Sequence, residues 1–167
     1  MSVRAPSEDQ ALLRRFCGDE LFAISEVSVW VSHPRGGEKG GVLLNLELHC
    51  RELLECTVPE EERTLRAPTP TVEVWLPVPT LKPSELVGTS VHVAESYDAA
   101  RDAMNRLYYC EHERMWGIDA TFVAAEGDRC RVRLSGRSCD INHYKGDKPD
   151  TVVSADAWFT LRPQGYV

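Results

Sequence analysis

The chain has no long apolar run, no paired-cysteine motif, no basic surplus and no compact enzyme signature, and each absence removes a class of function. No stretch approaches the roughly 20 apolar residues that a membrane-spanning helix needs. The opening MSVRAPSEDQALLRRFCGDE is too polar for a secretion signal, its longest apolar run being three residues. The six cysteines (Cys17, Cys50, Cys56, Cys110, Cys130 and Cys139) contain no CxxC pair. Without a secretion signal they read as reduced thiols, which predicts a cytoplasmic protein. Asp and Glu outnumber Lys and Arg 26 to 19, a formal net charge of -7. That balance argues against nucleic acid, whose binders neutralise phosphates with Lys and Arg, and against an anionic membrane. It suits another protein as partner, a basic one above all, although an acidic surface also serves solubility alone. GxSxG, HExxH, Walker and dinucleotide-binding patterns are missing, and nothing in the chain calls for a cofactor.

What is present is ordinary globular composition, 43% hydrophobic and 27% charged over 167 residues. This is enough chain for one sizeable core, so 1–167 reads as a single domain. Most of it alternates with a period of two. LFAISEVSVWVS (21–32) is rich in β-branched and aromatic residues and leads into a glycine-rich loop suited to a hairpin. In VLLNLELHC, Val42, Leu44, Leu46, Leu48 and Cys50 share one face. The parity continues through Leu54, Cys56 and Val58, which predicts a long, bent strand. Six of the ten prolines fall between Pro59 and Pro83, so TVEVWLPVP should be an edge strand or a connection. A further strand is expected at LVGTSVHVA.

Two short helices are expected. SEDQALLRRF opens with a capping-box pattern, Ser7 to Gln10, and puts Leu12, Leu13 and Phe16 on one helical face. In YDAARDAMNRL, Ala99, Ala103 and Leu107 have helical spacing. The hairpin GIDATFVAAEGDRCRVRLSG is the clearest local structure. Its parity favours a three-residue loop, Glu126-Gly127-Asp128, with Ala125 opposite Arg129, Ala124 opposite Cys130 and Phe122 opposite Val132. The last strand, TVVSADAWFTL, turns Val153, Ala155, Ala157, Phe159 and Leu161 inward. The expected fold is α+β and β-rich: an antiparallel sheet or β-sandwich with two short helices.

Three sets of residues are candidates for function. The loop CDINHYKGDKPD (139–150) is long for a compact domain, and such loops are usually functional or mobile. Its Asp140, His143, Tyr144 and Asp147 suit recognition, and it reads as exposed and turn-rich. Arg129, Arg131 and Arg133 line one sheet face, fit for an acidic partner or neutralised by cross-strand acids such as Asp119 or Asp156. Cys110, His112, Cys139 and His143 are zinc-type ligands without an established zinc spacing. Asp140 as the start of a calcium loop fails at Lys145 and Thr151, and Lys145 and Lys148 oppose a cation. The favoured reading is a non-catalytic protein-binding domain of immunity or adaptor type, using the 139–150 loop and the adjoining sheet face. The alternative is a small-molecule or zinc-binding domain, possibly an enzyme, using the Cys and His set. The oligomeric state stays open.

Overall fold

A computed structural model describes residues 4–33, 41–63, 69–143 and 145–161. The strands are β1 (Gln10–Arg15), β2 (Gly18–Ser32), β3 (Val42–Cys56), β4 (Thr71–Val78), β5 (Ser90–Val93), β6 (Tyr97–Asp98), β7 (Ala103–Met104), β8 (Arg106–Tyr109), β9 (Glu111–Glu126), β10 (Arg129–Ser138) and β11 (Thr151–Thr160). All pairings are antiparallel, in the order β10-β11-β1-β2-β3-β4-β8-β9-β5, and β9 also pairs with β10. That last pairing closes the sheet into a barrel. β9 does this by changing neighbour along its length: Glu111–Arg114 face β8, while Met115 and beyond face β10. Gly117, at φ 57°, sits at the change, where a side chain would be strained.

The inward faces follow the alternation in the sequence. Leu44, Leu46, Leu48 and Cys50 meet Val72, Val74, Leu76 and Val78, with Phe22, Phe122, Val132 and Phe159 filling the remainder. Large side chains with essentially no exposure occupy the barrel axis, as expected when eight or so strands close around side chains. The parity of β3 stops at Cys50, earlier than expected. Arg51 through Glu55 are exposed, because β2 slips register three times between Leu21 and Glu26 and twists the pair away from the axis.

Neither expected helix forms. The Ser7–Gln10 contact does exist, since the Gln10 side chain accepts from the Ser7 N–H at 3.0 Å. Asp9, however, takes a left-handed φ of 56° and turns the chain into β1. Ala11, Leu12 and Leu13 are then all buried, between β2 and β11. Successive side chains on opposite faces of a strand can both be covered there; on a helix only one stripe would be. In 97–107, Asp98 accepts from the N–H groups of Ala100 and Arg101, one capped turn. Asp102 (φ 50°) then reverses the chain, so that Tyr97–Asp98 pairs with Ala103–Met104. The helical pieces among the described residues are instead α1 (Pro83–Leu86) and a 3-10 turn at Glu60–Glu62.

The β9–β10 hairpin keeps Phe122 opposite Val132, both fully buried, by a different route. Its turn has two residues, with Glu126 opposite Arg129 and Gly127 at φ 61°, and Ala125 rather than Ala124 faces Cys130. Parity is restored by a bulge that leaves Val123 without a partner. The glycine-rich loop expected after β2 falls mostly outside the described residues. Contrary to the expectation from its prolines, β4 is neither an edge strand nor a connection but lies between β3 and β8. Thr71–Glu73 pair with β8, whereas among the described residues the Pro77 end is laddered to β3 alone, where the missing proline N–H costs no second ladder.

Candidate functional site

Among the described residues, the ladder around the barrel is interrupted twice. One gap lies between β4 beyond Glu73 and β5; the other lies between β2 beyond Ala23 and β11 beyond Asp156. Each gap holds a cleft, of about 410 Å³ and about 660 Å³ respectively. Sequence reasoning pointed elsewhere, to the 139–150 loop, the arginine stripe and the Cys/His set.

The loop does not begin as an exposed one. Asp140 is 1% exposed, and Ile141 is buried beside it. The reason is Arg15, whose side chain has no exposure at all and lies across the barrel end. Its Nε and Nη2 donate to the two Asp140 oxygens at 2.9 and 3.0 Å, and Nη1 donates to the Glu62 carbonyl at 3.0 Å. Thr151 Oγ1 and the Asn142 N–H also donate to Asp140. Burial pushes the Asp140 carboxyl up, but the hydrogen bonds and charge of Arg15 outweigh it and hold the group below the ordinary Asp value. Glu20 stands 3.7 Å from Arg15 and accepts from Tyr109 Oη at 3.1 Å. There burial wins, and Glu20 lies above the ordinary Glu value. Asp140 is thus buried at the barrel end with its carboxylate engaged by Arg15, Thr151 and the Asn142 N–H, not exposed as expected.

His143 is half-buried, edge-on to Phe16, with Glu62 at 3.5 Å and Asp147 at 3.6 Å. Residues 145–150, including Asp147, are exposed. Tyr144 lies outside the described residues. The arginine stripe is largely neutralised: Arg131 clasps Asp156 with Nε and Nη2 at 2.6 and 2.9 Å, and Arg133 reaches the same carboxylate at 2.8 Å. Arg131 also lies 3.2 Å from Glu8, and Arg129 covers the Trp158 ring at 4.7 Å. Of the two acids named from the sequence, Asp156 takes this role, because β11 is the neighbour of β10; Asp119 bonds His92 instead.

The cysteine and histidine candidates are scattered. Cys110 is exposed at the β8–β9 corner, and the His112 ring lies tilted against Tyr108, centroids 4.6 Å apart. Cys139 Sγ donates to Glu113 at 2.8 Å, with its thiol pushed up to about 11 by burial and by that carboxylate. Among the described residues, no three His, Cys, Asp or Glu side chains are grouped to hold a metal. All six cysteines are free thiols.

The β4–β5 cleft lies on the outside of the barrel and was missed in the sequence. Its floor is Leu43, Trp75 and Pro77, the outward parity of β3 and β4; its wall is the 92–105 excursion, carrying Tyr97 and Arg101. Asn105, almost fully buried, fastens that wall where a strand is lacking. Its Oδ1 accepts from the Trp75 N–H at 2.7 Å, its Nδ2 donates to the Glu95 carbonyl, and its own N–H donates to the Ser96 carbonyl.

Glu73 fixes the indole, accepting from Trp75 Nε1 at 3.1 Å, and Arg106 approaches Glu73 at 3.8 Å. Asn45 is buried in the cross-strand row between Trp30 and Trp75 and donates to Glu73 at 3.3 Å. On the opposite wall Tyr97 Oη donates to Asp102 at 2.9 Å, which raises the phenol above its ordinary value. Arg101 bonds Asp98 at 2.6 Å and lowers that carboxyl. The readable signal was the outward tryptophan of EVWLPVP on a proline-bearing strand. The helix expected over 97–107 hid the other wall.

The described residues contain no helix long and apolar enough to cross a membrane. Comparison with protein-family models, with curated proteins and with solved structures gave no match to this chain.

Proposed function

We propose that the protein is a non-catalytic binding protein of adaptor or immunity type, and that its partner is another protein, held through the cleft between β4 and the 92–105 excursion. The observation that carries this reading is Trp75. A large aromatic on the outward parity of β4 forms the floor of the cleft with Leu43 and Pro77, its indole held by Glu73 and its backbone N–H by Asn105. Tryptophan, tyrosine and arginine in a preformed pocket are the composition of interaction hot spots. Trp30 (46% exposed) and Tyr97 (43%) extend the aromatic surface around it. The barrel axis is filled by side chains, so a ligand finds room outside and not within. Glu95 and Asp98 against Arg101 leave the lining one unit acidic, counting histidine neutral, in a chain of net charge -7. This favours a segment that joins apolar or proline side chains to a basic residue. The 139–150 loop has less support as the contact surface, because Asp140 and His143 are engaged in packing the barrel end.

Selection from a displayed library of short random peptides tests the reading. Enriched sequences should carry Pro or aromatic residues beside Lys or Arg. Trp75→Ala should weaken their binding by about 2 kcal/mol, roughly 30-fold, as hot-spot residues do. Its far-ultraviolet circular dichroism should be unchanged. Peptides that bind Trp75→Ala as well as the parent, or that are lost only on changing His143, would overturn it.

A further inference from the structure

A smaller cavity, of about 110 Å³, lies apart from both clefts, where the β2–β3 pair twists away from the barrel. It is bounded by Glu20 and Phe22 of β2, Arg51 and Leu53 of β3, and Tyr109, the last residue of β8. Phe22 and Tyr109, both buried and edge-on with centroids 6.1 Å apart, give it an apolar wall. Glu20, 2% exposed, is the acid of that wall. Its Oε1 accepts from Tyr109 Oη at 3.1 Å. Its Oε2 has no hydrogen-bond partner among the described residues, and Arg15 Nη1 stands 3.7 Å from it. An ionised carboxylate can accept at both oxygens, and a buried oxygen left without a donor keeps its desolvation penalty. Burial accordingly holds Glu20 above the ordinary Glu value, the mark of a charge short of compensation.

Two cations stand at the same cavity. Arg51 and Arg63 both line it, and both are exposed. Arg63 is steadied through Nε, which donates to the Val58 carbonyl at 2.9 Å and leaves the Nη groups outside that bond. The charges are therefore ordered by depth, one buried acid within and two guanidiniums at the mouth. We infer that the cavity is a binding site for a small free α-amino acid, its ammonium donating to Glu20 and its carboxylate lying against Arg51 and Arg63.

Charge and size select this ligand. A simple anion would meet the arginines but face Glu20. A simple cation would suit Glu20 but sit beside two like charges. An ammonium and a carboxylate joined through one carbon satisfy both ends, and the guanidinium fork matches the carboxylate. The volume allows little more: at ~30 Å³ for each water it equals about four waters, the scale of glycine or alanine. The Phe22 and Tyr109 rings offer packing for a hydrogen or a methyl group. The site shares no residue with the Trp75 cleft.

The test is heteronuclear NMR of the full chain at neutral pH, titrated with glycine, L-alanine, L-leucine, acetate and ethylamine, each to about 20 mM. Glycine or alanine should shift the amides of Glu20, Phe22, Leu53 and Tyr109 saturably. Acetate and ethylamine, each carrying one of the two charges, and leucine, too large for the cavity, should bind at least about 10-fold more weakly. Glu20→Gln still accepts from Tyr109 and should weaken glycine at least about 10-fold, with a circular dichroism melt to confirm the fold. Arg51→Met and Arg63→Met, at exposed positions, should each weaken it about 2–5-fold. Trp75→Ala should leave it unchanged. The absence of a saturable shift with glycine or alanine would overturn the inference and mean that the cavity takes water only. So would acetate, ethylamine or leucine binding as tightly as glycine, or full affinity in folded Glu20→Gln or in both arginine variants. The comparison of ligands on the parent chain decides the matter if Glu20→Gln does not fold.

Discussion

Replacing Asp140 by Ala leaves a guanidinium with no solvent exposure facing a cavity. Arg15 would keep its bond to the Glu62 carbonyl and its 3.7 Å approach to Glu20, but lose both charge-assisted bonds to Asp140. Removing one partner of a buried pair costs about 3–5 kcal/mol, because the remaining charge keeps its desolvation penalty. In a domain of this size about 1 kcal/mol moves the melting temperature by about 2–4 °C, so a fall of about 6–20 °C is expected. The assay is equilibrium denaturation monitored by tryptophan fluorescence, paired with a thermal melt. The same physics makes a second demand. Replacing the whole set with apolar or neutral groups of similar size (Arg15→Met, Glu20→Gln and Asp140→Leu together) should recover most of the loss, since no buried charge is then stranded. A loss below about 1 kcal/mol for Asp140→Ala would place the residue among ordinary surface sites and refute the buried anchor. A triple variant no more stable than the single one would refute the desolvation argument while leaving the geometry intact.

Phe122→Ala should cost about 3–5 kcal/mol, because Phe122 is fully buried opposite Val132 and packs edge-on to Phe159; urea denaturation measures it, and a cost near 1 kcal/mol would mean that the core collapses around the gap. Glu20 gives a signature in acid. Its folded value lies above the ordinary 4.5, so the folded state binds the proton first, and stability should rise as pH falls from that folded value toward 4.5. Asp140 and Asp156 lie below the ordinary 3.8, so their contribution is present above it and is lost as pH falls below it toward their folded values. Melts of the parent and Glu20→Gln between pH 7 and 3 should differ by an amount that shrinks toward pH 4.5, and a difference independent of pH would refute the burial of the ionised carboxyl.

Period-two alternation by itself determined that this chain would be a strand protein, because it is local: a half-buried strand must alternate, and one residue of slip exposes the whole apolar face. It therefore identified the inward faces of β3 up to Cys50, of β10 and of β11, and the pairing of Phe122 with Val132, but left the acid that neutralises the arginines open between Asp119 and Asp156 until the adjacency of β10 and β11 decided it. Local signals failed where a tertiary neighbour overrode them. Leu12, Leu13 and Phe16 have helical spacing, yet β2 and β11 hydrogen-bond both edges of that segment and both of its faces are buried, Ala11 and Leu13 in the main core and Leu12 against Leu21, which one helical stripe could not match. The Asp98 turn starts like a helix and is ended by its pairing across to Ala103. The functional geometry was further from view. Arg15 and Asp140 are separated by 125 positions, and nothing near either one indicates that the other will bury it. Both clefts exist because the ladder fails to run the full length of β2 and β4, and where a ladder fails depends on how the barrel closes. Closure is a relation among all the strands, set by stagger and twist around the ring, and no window of sequence contains it.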